Sequence, residues 1–79
     1  MPATISEVKQ LIQTEFPTAN VDQVTEENHR ITGTIVWQDF KGKTIEERNR
    51  LVTERIRNRL GLNGMYIGVL FALAPGEKL

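Results

Sequence analysis

The feature that most constrains the fold is the run Tyr66-Ile67-Gly68-Val69-Leu70-Phe71-Ala72-Leu73, apolar at almost every position and followed by Pro75. Proline so close behind leaves the run too short for a long helix. A strand buried on both faces, or on one face and in a partner interface, fits it best. Such a strand needs a sheet to join and a layer to cover it, and the rest of the chain must supply both.

The chain has 79 residues, enough for one domain spanning 1–79 but for only a modest buried fraction, so every large apolar residue counts. It has no cysteine, hence no disulfide, no thiolate nucleophile and no Cys-based zinc or iron-sulfur ligation of its own. No cofactor is expected. The N-terminus lacks a basic segment leading into an apolar core, and no run approaches the roughly 20 apolar residues that span a bilayer. The expectation is a cytoplasmic protein without membrane contact. A formal net charge of +0 argues against a dedicated non-specific nucleic-acid binder. The charge is unevenly spread, however: residues 1–29 are net acidic, with Lys9 against five carboxylates, and residues 30–60 are net basic. Such polarity can steer an acidic partner or align two copies.

Helical spacing of Ile5, Val8, Leu11, Ile12 and Phe16 predicts a first helix, opened by a Thr4/Glu7 capping box and ended by Pro17. Val21 to Glu26 reads as a polar edge strand. After the turn-prone Glu27-Asn28-His29, Arg30 to Trp37 alternates as a second strand of a hairpin. A loop through Gly42 leads to Thr44, which caps a second helix with Glu47 three residues on. That helix is expected from Ile45 to about Leu60, with Ile45, Val52, Ile56 and Leu60 as its core stripe and Gly61 as a left-handed cap backed by Leu62. The order α-β-β-α-β implies a three-stranded mixed sheet. Its last two strands are parallel through a right-handed crossover, with both helices on one face, an α/β two-layer sandwich.

The stretch joining the second strand to the second helix, Phe40-Lys41-Gly42 followed by Arg48-Asn49-Arg50-Leu51, resembles the signature of the BolA family of small stress-associated, iron-cofactor-linked proteins. In that family Phe-x-Gly is followed by Arg-His-Arg and an apolar position, so Phe40, Gly42, Arg48, Arg50 and Leu51 match in register. Pro75 and Glu77 sit where the family often ends its last strand. Matching positions extend from about Val36 to Glu77, and the earlier residues agree in pattern only. The resemblance implies the same α-β-β-α-β fold, akin to type II KH domains. It also implies a non-catalytic role in protein binding, with monothiol glutaredoxins as the first partner to test. Phe40, Gly42, Arg48, Asn49 and Arg50 would shape the partner-binding surface, with Trp37 or Tyr66 as aromatic anchors and Arg48 anchoring the loop or the last strand. Asn49 stands where the family carries its ligand histidine, and a carboxamide is a poor ligand for iron or zinc. Iron-sulfur bridging is therefore expected to be weak or absent.

Other candidates are weaker. His29, the sole histidine, could be half of a metal site and would need further ligands from a partner. Asn49 is expected to hydrogen-bond to the loop before the helix. The helix arginines divide into a flank of Arg48, Arg55 and Arg59 and an opposite flank of Arg50 and Arg57. Intrahelical pairs such as Glu47 with Arg50, and Glu54 with Arg50 or Arg57, would solubilise them. With Lys41 and Lys43 at the helix N-terminus, Arg48, Arg55 and Arg59 form an alternative nucleic-acid-binding set, for a KH-like regulatory module. Gly61-Leu62-Asn63-Gly64 has the spacing of a KH clamp loop but lies after the long helix. One histidine and no cysteine assemble no Ser-His-Asp, Cys-His or metal-ligand arrangement, so catalysis is not expected. The apolar last strand leaves monomer and homodimer both open.

Overall fold

The computed structural model describes residues 4–78, apart from the side chains of residues 62–64. The elements are α1 (Ile5–Glu15), β1 (Asn20–Glu27), β2 (Arg30–Val36), a 3-10 turn (Gln38–Phe40), α2 (Ile45–Val52), a π-helical segment (Thr53–Arg57), α3 (Asn58–Leu60), a 3-10 stretch (Gly61–Tyr66) and β3 (Ile67–Leu73). From α2 to α3 the chain is one continuous long helix. β2 lies at the centre of the sheet, antiparallel to β1 and parallel to β3. This is the expected α-β-β-α-β sandwich, with α1 and the long helix covering the sheet.

Both helix starts form as their sequences dictate. Thr4 Oγ1 accepts the Glu7 N–H at 3.2 Å and donates to the Glu7 carboxylate at 3.1 Å, while Thr44 Oγ1 accepts the Glu47 N–H at 3.1 Å. Each cap satisfies one N–H that the first helical turn leaves without a partner. Val8, Ile12 and Phe16, four residues apart, are fully buried, which directs α1 onto the sheet.

Val21 and Val24 are both buried although three residues apart, a spacing that plain strand alternation cannot place on one face. A bulge resolves this. Asn20 pairs with Val36 but Gln23 pairs with Thr34, so β1 carries one extra residue there. Across from it, Gly33 sits at φ +141°, and a Cβ at that position would lie 1.9 Å from the Gln23 carbonyl oxygen. Only glycine lets the two strands approach so closely. The hairpin closes through Asn28 and His29, at φ 52° and 62°, the pair of positive angles that matches a two-residue turn to the strand twist.

In the long helix Val52 and Ile56 are buried and Leu60 packs against the core, but Ile45, expected in the same stripe, is 73% exposed. Ile45 is the first helical residue and lies beyond the end of the core. The inward place one turn on belongs to Arg48, 8% exposed. Further along, the Asn58 N–H reaches back five residues to the Thr53 carbonyl, widening that turn. Gly61 takes the expected positive φ of 59°, yet its ψ of −128° is far from the left-handed helical well. The chain accordingly leaves through the 3-10 stretch instead of closing a left-handed cap. The Leu62 side chain, expected to back that cap, lies outside the described residues.

Candidate functional site

The motif residues divide between the interior and the surface. Arg48, buried in the second turn of the long helix, ties three segments together. Its Nε donates to the Lys43 carbonyl at 3.1 Å and its Nη1 to the Ala72 carbonyl at 3.1 Å. Nη1 and Nη2 also donate to the Glu77 carboxylate at 2.6 and 3.0 Å. The loop before the helix and the last strand are thus held by one side chain. Glu77 in turn accepts the Ala74 N–H at 2.8 Å, closing the turn after β3. The Arg48 hydrogen bonds, followed by that N–H, hold the Glu77 carboxyl at about 2, well below its ordinary 4.5. The same bond keeps Arg48 more firmly protonated than an ordinary guanidinium.

Phe40 is fully buried and meets Phe16 edge-on at 5.5 Å and Trp37 edge-on at 5.2 Å. Trp37 lies 4.8 Å from Phe16, and its indole N–H donates to the Pro17 carbonyl at 2.8 Å. These aromatics join α1, β2 and the loop. Trp37, half-buried, is therefore fixed by packing within the fold while one side of it still lines a surface hollow. Phe40 shapes the surface only from beneath. Tyr66 is half-buried, Gly42 is exposed at φ 83°, and Arg50 is exposed.

A groove of about 820 Å³ opens between the start of the long helix and β3. Ile45, Val69 and Phe71 are exposed beside it, at 73%, 59% and 45%. Asn49 lines the groove, exposed, and its carboxamide makes no hydrogen bond among the described residues. The bond to the preceding loop expected of Asn49 is made by Arg48 instead, because Arg48 points inward and Asn49 does not. Lys43, Glu77 and Lys78 complete the rim. The exposure of Phe71 and Val69 was legible only as an alternative, since a fully apolar run does not say which side chains lack cover.

One or more arginines of each flank are used for tertiary contacts. Arg59 pairs with Glu15 of α1 at 3.1 Å, and Arg57 donates to the Gly68 and Ile67 carbonyls of β3 at 3.0 and 3.4 Å. The expected intrahelical pairs are not formed among the described residues, whose ion pairs are Arg48–Glu77 and Arg59–Glu15. The alternative nucleic-acid set is split accordingly. Arg48 and Arg59 are engaged within the fold, while Lys41, Lys43 and Arg55 share a hollow with Trp37 and Leu51. His29 is exposed in the hairpin turn. Among the described residues no three His, Cys, Asp or Glu side chains gather as a metal site, and no helix is long and apolar enough to cross a membrane.

No protein-family model and no curated protein matches the chain. A solved structure does: that of a bolA protein homologue from Coxiella burnetii, at a TM-score of 0.74 and 22% identity over 92% of each chain. The chain has the fold of that BolA homologue. The resemblance carried by Phe40, Gly42, Arg48 and Arg50 thus extends to the architecture of nearly the whole chain.

Proposed function

We propose that the protein is a non-catalytic BolA-type domain that works by binding another protein. The docking surface is the groove bordered by Ile45, Asn49, Val69 and Phe71. The observation that carries this reading is the coincidence, at one place, of the motif's Asn49 with the exposed large apolar side chains of α2 and β3, a combination that marks interaction sites. The BolA likeness makes a monothiol glutaredoxin the first partner, and the setting is cytoplasmic. The domain supplies no iron-sulfur ligand from Asn49, since an amide oxygen is hard and an amide nitrogen is not basic.

The test is anaerobic reconstitution with a monothiol glutaredoxin. A heterodimer that forms without a shared cluster, with amide shifts at Ile45, Asn49 and Phe71, is expected. Asn49→His should add a coloured complex to the same surface. Absence of any complex overturns the docking reading, and a stable bridged cluster with wild type overturns the role assigned to Asn49.

A second reading, nucleic-acid binding, is favoured by the convergence of Lys41, Lys43 and Arg55, against the single carboxylate of Asp39, on one hollow. It requires affinity that falls steeply with salt and is lost in a Lys41→Glu/Lys43→Glu variant. No binding to single-stranded or duplex probes at about 50 mM salt removes it.

A further inference from the structure

The groove beside Asn49 is one part of a longer trough. Asn49, Val69 and Leu70 also line a second hollow, bounded by Arg30 and Arg57, so the two run together along the outer edge of β3. Among the described residues that edge has no strand beyond it, since β3 pairs with β2 alone. Two arginines of the long helix occupy its ends, Arg48 on the Ala72 carbonyl and Arg57 on those of Gly68 and Ile67. Strand alternation is broken between Ile67 and Leu70, where β3 carries one extra residue against β2, so the Ile67 and Gly68 carbonyls both reach Arg57. From Leu70 onward it is regular: the Leu73 carbonyl accepts from Trp37 of the neighbouring segment and the Ala72 carbonyl faces Arg48. Leu70, two residues before Ala72, therefore presents its own N–H and C=O to the trough. An unpaired edge of this kind is a template for a further strand.

Three features define what would fit there. Ile45, Val69 and Phe71 give an apolar wall. Arg30, Lys43, Arg57 and Lys78 line the trough and none has an ion-pair partner among the described residues, whereas its carboxylate, Glu77, is held by Arg48. Among the described residues Arg57 is bonded only to neutral carbonyls, which do not offset its charge. Midway along, Asn49 offers an unbonded carboxamide, an acceptor with two donors, which is the complement of a peptide group.

We propose that the trough takes an extended, acidic segment of the partner protein as a short fourth strand beside Leu70, with Asn49 hydrogen-bonding its backbone and its apolar side chains seated on Ile45, Val69 and Phe71. This rests on the docking reading above and specifies the partner's chemistry. Asn49 is then a clamp for a peptide backbone in its own right, not merely a vacated ligand position. A nucleic-acid strand would meet the same cations, but an open main-chain edge and an aliphatic wall offer little to stack or pair with a base.

The experiment pans a phage-displayed random dodecapeptide library against the wild-type chain, then measures enriched peptides by fluorescence anisotropy and amide shift mapping. Enriched sequences should interleave carboxylates with apolar residues and shift Val69, Leu70 and Asn49. N-methylation of the central peptide nitrogen should abolish binding, because it removes the strand hydrogen bond while keeping every side chain. Asn49→Ala should weaken binding about tenfold, as loss of one or two hydrogen bonds does. Lys78→Glu should weaken it at low salt more than at high salt. Circular dichroism verifies that both variants fold. No enrichment, enrichment of basic or uncharged sequences, indifference to N-methylation, or competition by a single-stranded oligonucleotide would each overturn the proposal. A monothiol glutaredoxin arm separates the two levels. If it shifts Ile45 and Asn49 while acidic peptides fail, the strand-addition inference falls and the docking reading stands; if peptides bind and glutaredoxin fails, glutaredoxin falls as the partner while the groove and strand addition stand.

Discussion

Arg48 and Asn49 are neighbours in sequence, yet the Arg48 side chain is buried with hydrogen bonds to Lys43, Ala72 and Glu77, whereas the Asn49 side chain lies exposed on the groove with none among the described residues. The regions they belong to differ in the same way. Around Arg48 and the Phe16, Trp37 and Phe40 aromatics, polar groups find partners within the fold and apolar groups are covered. Along the outer edge of β3, apolar side chains, cations and a carboxamide are left open together. Residues of one short motif can thus divide between building a surface and presenting it. A rotation of about 100° per helical residue is enough to separate the two roles.

The contrast breaks most severely at its interior side. Phe40→Ala should cost about 4 kcal/mol, since a fully buried ring leaves both lost transfer energy and a cavity. In a domain of this size that approaches the whole stability, and urea denaturation would show it. Gly33→Ala should follow at about 3 kcal/mol, because a methyl group cannot fit against the Gln23 carbonyl without separating β1 from β2. A smaller loss in either case would mean that the interior side is less tightly determined than its contacts imply.

The Arg48 clasp gives the contrast a pH dependence. Glu77 has a folded-state value near 2, below its ordinary 4.5. Its contribution is therefore fully present above about 4.5 and is lost as pH falls through that window toward 2. Urea midpoints of wild type and Glu77→Gln should differ at pH 6 and converge by about pH 2. A constant difference would mean that the carboxylate charge is not what Arg48 recognises.

Smaller effects sharpen the comparison. Thr44→Ala should cost about 1 kcal/mol through the lost cap, read from the urea midpoint. Ile45→Ser should change stability by no more than about 0.5 kcal/mol, yet reduce partner binding. If Ile45→Ser instead unfolds the domain, Ile45 belongs to the core after all and the groove is not a presented surface.

The α-β-β-α-β order, the two threonine caps, the hairpin and the parallel crossover were legible in the sequence, because periodicity, capping residues and turn residues act over a few positions. The anchoring role of Arg48 was legible through its register in the motif. Less legible was the fate of side chains whose neighbours come from distant segments. Ile45 satisfied the helical wheel and still emerged exposed, since a wheel gives direction around an axis but not where the core ends. Trp37 read equally well as a surface anchor or a packed ring until Phe16, Pro17 and Phe40 were placed against it.

The sequence alone determined the elements, their order and the absence of cysteine chemistry, because these follow from local backbone preferences and composition. Tertiary structure decided which apolar residues stay uncovered, which cations remain unpaired and what Asn49 faces. Those properties depend on contacts between α1, the long helix and β3, segments far apart along the chain. No local pattern encodes them.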